Sequence, residues 1–352
     1  MENQQDSGKE EKLLNLKEVQ RILNVSYSHL INNIVKNPDP QKKLQVINVG
    51  RGKRQEYRVT QQALNEYLSR QTSQQNTIAA AVSELQRVRN SVVISYLTTS
   101  ENQINQEDAL FFSDVLEDIK QKKNIVGKIP NIDLFINSFG GSLDAAYKIT
   151  RLLWQYAENV NAIVPISAKS AATAICVGTK EITMSPISEL GPVDPIIENP
   201  VTKDRIPARS IKVFLSYASD KTRLEADKID PAIIEKLGNK LEPLLAGAYF
   251  NAINTSKEYL KILLSECMFP GKRTDQELDN IVESLTELHY SHAFVIDATE
   301  AKKIGLNVRL ANKEEDQAIK KLLVFYNQFM NAQGLTKLVG NEFFQIHQNL
   351  RR

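Results

Sequence analysis

Apolar and polar positions change period several times along this chain, and each change marks an element. Leu16, Val19, Ile22 and Leu23 fall on one helical face, and Asn15 followed by Glu18 is a capping pair that would open that helix. Asn24-Val25-Ser26 interrupts the pattern, and Ser26 can cap a second helix with Leu30, Ile31, Ile34 and Val35 inward. Leu44 to Val49, a glycine-marked turn, and Glu56 to Val59 read as a hairpin. A third helix, Thr60 to Leu68, turns Leu64, Tyr67 and Leu68 inward. Gln71 to Thr77 is polar and reads as a linker, followed by a short helix from Ile78 to Arg89.

From Ser91 the period changes again. Val92 to Leu97 is a short apolar run, a first buried strand. Asn105 to Lys120 has helical spacing, with Leu110, Phe111, Val115, Leu116 and Ile119 on the core side, and Gln121 to Asn131 reads as a basic loop. Ile132 to Ile136 and Val160 to Ile166 are two further buried strands, and each runs into a turn of small residues that opens a helix. The first turn is Ser138-Phe139-Gly140-Gly141-Ser142 and the second Ala168-Lys169-Ser170-Ala171-Ala172-Thr173. Strands alternating with helices argue for parallel βαβ units, whose functional loops lie at the carboxyl ends of the strands. A small-residue turn there lets backbone N–H groups converge on an oxyanion beside a hydroxyl. Ile206 to Leu288 is mostly helical in pattern, Asp297 with Glu300 caps a helix that Gly305 ends, and Glu314 to Met330 is amphipathic.

Composition narrows the class. The 352 residues suit one large and one small domain, and a net charge of +2 says little until the charges are mapped. The two cysteines, Cys176 and Cys267, sit far apart in apolar patterns, so a core role in a reducing cytosol is expected, with no disulfide framework or zinc spacing. Met1 to Lys12 lacks the apolar stretch of a signal peptide, and no run of about 18 apolar residues suggests a membrane span. A cytoplasmic location without membrane association is expected. No phosphate-binding G-x-x-x-x-G-K-[ST] loop occurs, which excludes nucleotide hydrolysis by that route.

Positive charge concentrates early: Lys36, Lys42, Lys43, Arg51, Lys53, Arg54 and Arg58 lie within or beside the hairpin. The order Leu16-x-Glu18-Val19, Leu23-Asn24-Val25-Ser26, Val49-Gly50-Arg51, Tyr57-Arg58-Val59 and Leu64-x-x-Tyr67-Leu68 resembles the excisionase/MerR-type winged helix-turn-helix. That resemblance implies double-stranded DNA as a partner, with Tyr27, Ser28, Asn32 and Asn33 on the groove-reading helix and Arg51, Lys53 and Arg54 at phosphates. The competing reading is a protein-interaction module whose charges are a solvated edge.

Ile132 to Pro195 ends in Glu189-Leu190-Gly191-Pro192-Val193-Asp194-Pro195. With Ser291-His292-Ala293-Phe294-Val295-Ile296 and Glu300-Ala301-x-x-Ile304-Gly305-Leu306, it resembles the Clp-fold serine proteinases. Within them it is similar to the serine dehydrogenase proteinase branch, related to signal-peptide peptidase A and more distantly to the Clp protease. The resemblance implies a crotonase-like spiral of ββα units, a homo-oligomer, and peptide hydrolysis with no metal or other cofactor. Ser170 matches the nucleophile, the Gly141 and Ala171 amides match the oxyanion hole, and Gly140 gives the turn its room. The bland readings are a helix N-cap for Ser170 and a tight turn for the glycine pair.

Two departures stand out: Ala172 where the family commonly has glycine, and Lys169 directly before the serine. No histidine lies between Ser170 and His289, so the Clp order of serine then histidine is absent. The signal-peptide-peptidase relatives use a downstream lysine instead, in a window that holds Lys212 and Lys221. Lys212 has the more apolar neighbours and Lys221 the better spacing, and His292 is a third candidate base. Asp194, between two prolines, is a candidate for substrate binding, with turn chemistry as its alternative.

The expected chain is thus α/β. Residues 1–13 form a disordered N-terminus, 14–70 a winged helix-turn-helix, 71–90 a linker with a short helix, 91–310 a peptidase domain with a helical extension over 206–288, and 311–352 a helical tail. Its expected substrates are peptides or unfolded proteins. A DNA-binding scaffold with an inactive Clp-like domain is the rival from another class, and acyl-CoA chemistry on the related crotonase fold is a third reading.

Overall fold

The structure, a computed structural model, describes residues 13–23, 27, 30–37, 43–50, 55–198, 205–207, 243–287, 294–343 and 345–348. Within these only the backbone is described at 33, 70, 71, 196–198, 205–207, 243–249 and 345–348. The chain divides into two compact units, residues 1–80 with 324–335 and residues 81–323 with 336–352.

In the first unit, strand β1 (Leu13–Asn15) runs directly into a helix, Leu16–Leu23. The Asn15–Glu18 box closes on both sides. Asn15 Oδ1 accepts from the Lys17 and Glu18 amides at 3.0 and 3.1 Å, and Glu18 accepts from the Asn15 amide at 2.8 Å. Leu16 and Val19 are buried, but Ile22, expected inward, is 51% exposed, because the two-turn helix meets the core along a narrower stripe. The expected second α-helix is a π-helical turn over Leu30–Val35, closed by the Lys36 amide on the Ile31 carbonyl at 2.9 Å. The wider turn brings Leu30, Ile34 and Val35 onto one buried face. Strands β2 (Ile47–Asn48) and β3 (Tyr57–Thr60) form the expected hairpin, and the sheet order is β1-β3-β2.

The stretch expected as a linker is helical. One helix runs continuously from Gln61 to Arg89. The Thr72 and Thr77 hydroxyls bond back to the Leu68 and Ser73 carbonyls, and Gln61–Asn65 and Gln62–Glu66 pair one turn apart. The side-chain pairs support the first turns of this helix, and the back-bonded hydroxyls let its polar middle continue as helix.

The second unit is built on a seven-stranded sheet. Strand β4 spans Val92–Thr98, β5 Ile129–Asn137, β6 Ala157–Val164, β7 Ser167–Ala168, β8 Ile182–Met184 and β9 Glu189–Leu190. Strand β10 spans Ile196–Glu198, β11 Arg205–Pro207, β12 Val308–Leu310, β13 Lys337–Gly340 and β14 Gln345–Gln348. The order β12-β8-β6-β5-β4-β13-β14 is parallel from β12 to β4 and antiparallel beyond it. Near-continuous burial along β5 and β6 is what a central parallel sheet requires. Helices Asp108–Lys122 and Leu143–Tyr156 make the crossovers between these strands. In the first, Leu110, expected on the core side, is 66% exposed and Phe112 is buried in its place, because Phe112, Val115, Leu116 and Ile119 share one stripe.

A second, smaller ladder lies at the carboxyl ends of the strands. Ser138 bridges Ala168, β7 pairs in parallel with β9, and Leu190 bridges Ile296. Each pass of the chain therefore adds one strand to the main sheet and one short strand to this ladder.

The extension expected over 206–288 is only partly helical. Strand β11 pairs with β10 where it begins, residues 208–242 lie outside the described residues, and helices Pro243–Leu263 and Asp275–Thr286 follow. The helical tail ends at Gln333. Beyond it β13 joins the main sheet beside β4, so the segment expected as a helical tail also contributes a strand to the core sheet. The cap at Asp297 and the left-handed Gly305 stop are both present.

One buried charge network spans this unit. Arg89 bonds the fully buried Asp133 of β5 at 2.8 Å and Glu315 at 2.6 Å, and Arg309 joins Glu315 to Glu181. Ser91 and Asn161 supply Asp133 with further donors.

Candidate functional site

The two small-residue turns meet at the carboxyl ends of β5 and β7. Ser170 sits at the entry to the helix Ala171–Val177 with φ 51° and ψ −119°. That conformation lies outside the small left-handed region that a residue with a Cβ tolerates, so the surrounding structure must hold it. Its side chain makes no cap bond, which removes the N-cap reading, and the hydroxyl has no partner among the described residues. Strain of this kind at a strand-to-helix turn lifts a side chain clear of the backbone, as in a nucleophile elbow.

Gly140 and Gly141 face that turn. A Cβ on Gly140 (φ +99°) would fall 2.7 Å from the Lys169 carbonyl and 2.9 Å from the Ser170 Cβ. A Cβ on Gly141 (φ +149°) would fall 2.4 Å from the Ile104 carbonyl. Both positions therefore demand glycine on conformation and on space. Among the described residues, neither the Gly141 amide nor the Ala171 amide has an acceptor. A cavity of about 580 Å³ opens here, walled by Phe139, Leu143, Val193 and Pro195 and lined also by Gly141, Ser170 and Ser256.

Sequence reasoning missed Ser138 and Ile104, which brace the turn, and Ser256, which lines the cavity. The Ser138 hydroxyl accepts from the Gly140 amide at 3.2 Å and shares a 2.7 Å hydrogen bond with Thr98. The Ile104 amide donates to the Gly140 carbonyl at 2.9 Å, and the Ile104 carbonyl accepts from the Ser142 amide at 2.9 Å. Ser256 arrives from the helix Pro243–Leu263, which Tyr259 stacks onto Tyr147 at 4.3 Å. Ser138 carried a readable signal, a hydroxyl two residues before the glycine pair. Ile104 and Ser256 carried none, since both come from distant elements.

The other predicted residues fall as follows. Lys169 pairs with Glu189 at 2.7 Å, so its ammonium is held by a carboxylate. Ala172 is fully buried and is not among the residues that line the cavity, so its methyl packs in the core. Asp194 is 3% exposed, and its neighbours Val193 and Pro195 reach the cavity in its place. Lys212, Lys221 and His292 lie outside the described residues. Tyr27 and Asn32 are exposed in the first unit, whereas Ser28, the Asn33 side chain, Arg51, Lys53 and Arg54 lie outside the described residues.

Neither thiol is a ready nucleophile. Burial pushes Cys176 far above the usual thiol range and raises Cys267 to about 11, so both stay protonated near neutral pH. Among the described residues no His/Cys/Asp/Glu cluster could hold a metal ion, and no helix is long and apolar enough to cross a membrane.

The structure thus has a mixed α/β fold in which a strained serine lies beside two amides that have no acceptor among the described residues. The ClpP-like SDH-type serine proteinase family matches residues 65–348, and the chain belongs to that family. It is 28% identical over 259 residues to the uncharacterized protein MJ0137 of Methanocaldococcus jannaschii, covering 73% of this chain and 80% of that protein. A second uncharacterized protein of the same organism, MJ1495, is 24% identical over 261 residues, covering 71% and 77%. Among solved structures, the 1510-N membrane-bound stomatin-specific protease bound to a substrate peptide is 19% identical, with a TM-score of 0.38, covering 74% of this chain and 88% of that one. ClpP1 from Listeria monocytogenes is 18% identical, with a TM-score of 0.36, covering 65% and 95%.

Proposed function

We propose that this chain is a serine peptidase acting on peptides or unfolded proteins. The Ser170 Oγ attacks the scissile carbonyl carbon while its proton passes to a base, and the carbonyl oxygen becomes an oxyanion held by the Gly141 and Ala171 amides. Collapse of the tetrahedral intermediate expels the amine, which takes up that proton, and water then releases the acyl group. The base is drawn from Lys212, Lys221 and His292. A lysine in that role must be largely neutral, which needs burial or a nearby cation. The observation that carries this reading is Ser170 itself: strained, without a hydrogen-bond partner among the described residues, and lining one cavity with Gly141. The apolar walls from Phe139, Leu143 and Val193 support an apolar substrate side chain next to the scissile bond.

A serine-directed phosphonate tests the reading. The expected result is one adduct per chain, mapped by mass spectrometry to Ser170; an unreactive Ser170 in folded protein overturns it. Gly141→Ala is expected to lower kcat by about 10²- to 10³-fold, the cost of one displaced oxyanion donor. Steady-state peptide hydrolysis checks this.

We further propose that the first unit contacts duplex DNA through the hairpin and the exposed Tyr27 and Asn32. The sequence run Gly50-Arg51-Gly52-Lys53-Arg54 and the exposed edge at Ile47 support this. A gel shift with random duplex should weaken as salt rises. Replacing Arg51, Lys53 and Arg54 with alanine should lower the salt slope by roughly 1 for each phosphate left unneutralised. No shift at low salt contradicts the proposal.

A further inference from the structure

We propose that the start of strand β13, Lys337 with Thr336 before it, positions the oxyanion turn, with Lys337 acting through the backbone of Gln103 to Asn105. The proposal rests on the peptidase reading above.

Lys337 is 1% exposed, and its ammonium donates to both Asp108 carboxylate oxygens at 2.8 and 2.9 Å and to the Gln103 carbonyl at 2.8 Å. Asp108 is fully buried and also accepts from the Tyr96 hydroxyl at 2.5 Å and the Asn105 amide at 2.8 Å. The ion pair therefore grips the chain on both sides of Ile104. Thr336 adds two ties just upstream: its carbonyl accepts from the Thr99 amide at 2.9 Å, and its hydroxyl from the Asn102 side chain at 3.1 Å.

Ile104 is the residue whose amide donates to the Gly140 carbonyl. That carbonyl and the Gly141 amide belong to a single peptide unit, planar and trans, so they point in opposite directions. Holding the carbonyl on Ile104 therefore aims the Gly141 N–H away from Ile104. A peptide flip, which glycine on both sides would permit, would turn a carbonyl oxygen toward the oxyanion in place of a donor. The clamp from β13 opposes that flip. Burying a lysine is costly unless it is paired and hydrogen-bonded, and an apolar pair of similar volume would often serve packing equally well. What an apolar pair could not supply is the donor to Gln103.

The test uses the full chain and the double variant Asp108→Asn/Lys337→Met, which leaves no charge buried alone. The expected result is that Ile104 and Ser142 amide hydrogens exchange about tenfold faster, and that kcat falls about tenfold while KM stays within about twofold. Amides in β5 and β6 should keep their protection. If the double variant does not fold, Thr336→Val is close in shape, and the same two amides should exchange about threefold faster. Unchanged exchange at Ile104 and Ser142 overturns the proposal, as does an equal acceleration throughout the sheet. If the wild-type protein hydrolyses no peptide, the peptidase reading fails, and the exchange rates still decide whether β13 holds the turn.

Discussion

Ser170→Ala is expected to reduce kcat for peptide hydrolysis by roughly 10⁵- to 10⁶-fold, the loss that follows removal of a serine nucleophile. Stability should stay within about 0.5 kcal/mol of wild type. The two halves of this expectation have different sources. The hydroxyl makes no cap bond and has no partner among the described residues, so its removal breaks no hydrogen bond of the folded state. Alanine keeps the Cβ and so keeps the backbone strain at φ 51°. Were Ser170 a helix cap, the same substitution would cost about 1 kcal/mol and leave no reason for a loss of activity. Thermal unfolding and hydrolysis measured on one preparation separate these cases.

Arg89→Met is expected to destabilise the protein by about 3–5 kcal/mol in urea unfolding. Arg89 is 8% exposed at its side chain and is the cation that Asp133 contacts in the middle of β5, whereas Glu315 retains Arg309. Removing Arg89 leaves Asp133, among the described residues, with only the Ser91 hydroxyl and the Asn161 amide as donors. Against a usual total of about 5–15 kcal/mol, that is a large share. Adding Asp133→Asn should recover much of the loss, because the cost is that of a lone buried charge. A double variant no more stable than the single one would show that Arg89 acts through packing.

How far the sequence could be read depends on where each element finds its partners. Asn15 with Glu18, and Asp297 with Glu300, are local arrangements: the partners lie within one helical turn, and the structure places them as the pattern implies. The runs ending at Gly140-Gly141 and at Ser170 were legible for a related reason. A central parallel strand is nearly all apolar, and the turn after it needs small residues. Gln71 to Thr77 misled because its composition suits a linker, while the Thr72 and Thr77 hydroxyls bond back to carbonyls one helical turn earlier. Leu110 and Phe112 exchanged roles through a shift in helix phase that the apolar count alone does not fix.

Lys337 was illegible in a deeper sense. It stands between Thr336 and Leu338 at the start of a short apolar run, and nothing nearby announces that a buried carboxylate from Asp108 awaits it. The same holds for Ile104, an ordinary apolar residue whose backbone braces the glycine turn. Long-range pairing of this kind becomes visible only when the sheet order is known. That order also changes the segment expected as a helical tail, since β13 lies directly against β4.

The most direct measurement is a crystal structure of the Ser170 phosphonate adduct. The expected result is a phosphonyl oxygen about 2.7–3.1 Å from both the Gly141 and Ala171 nitrogens. An adduct whose oxygen points away from these two amides, or a probe bonded to another residue while Ser170 stays free, would contradict it.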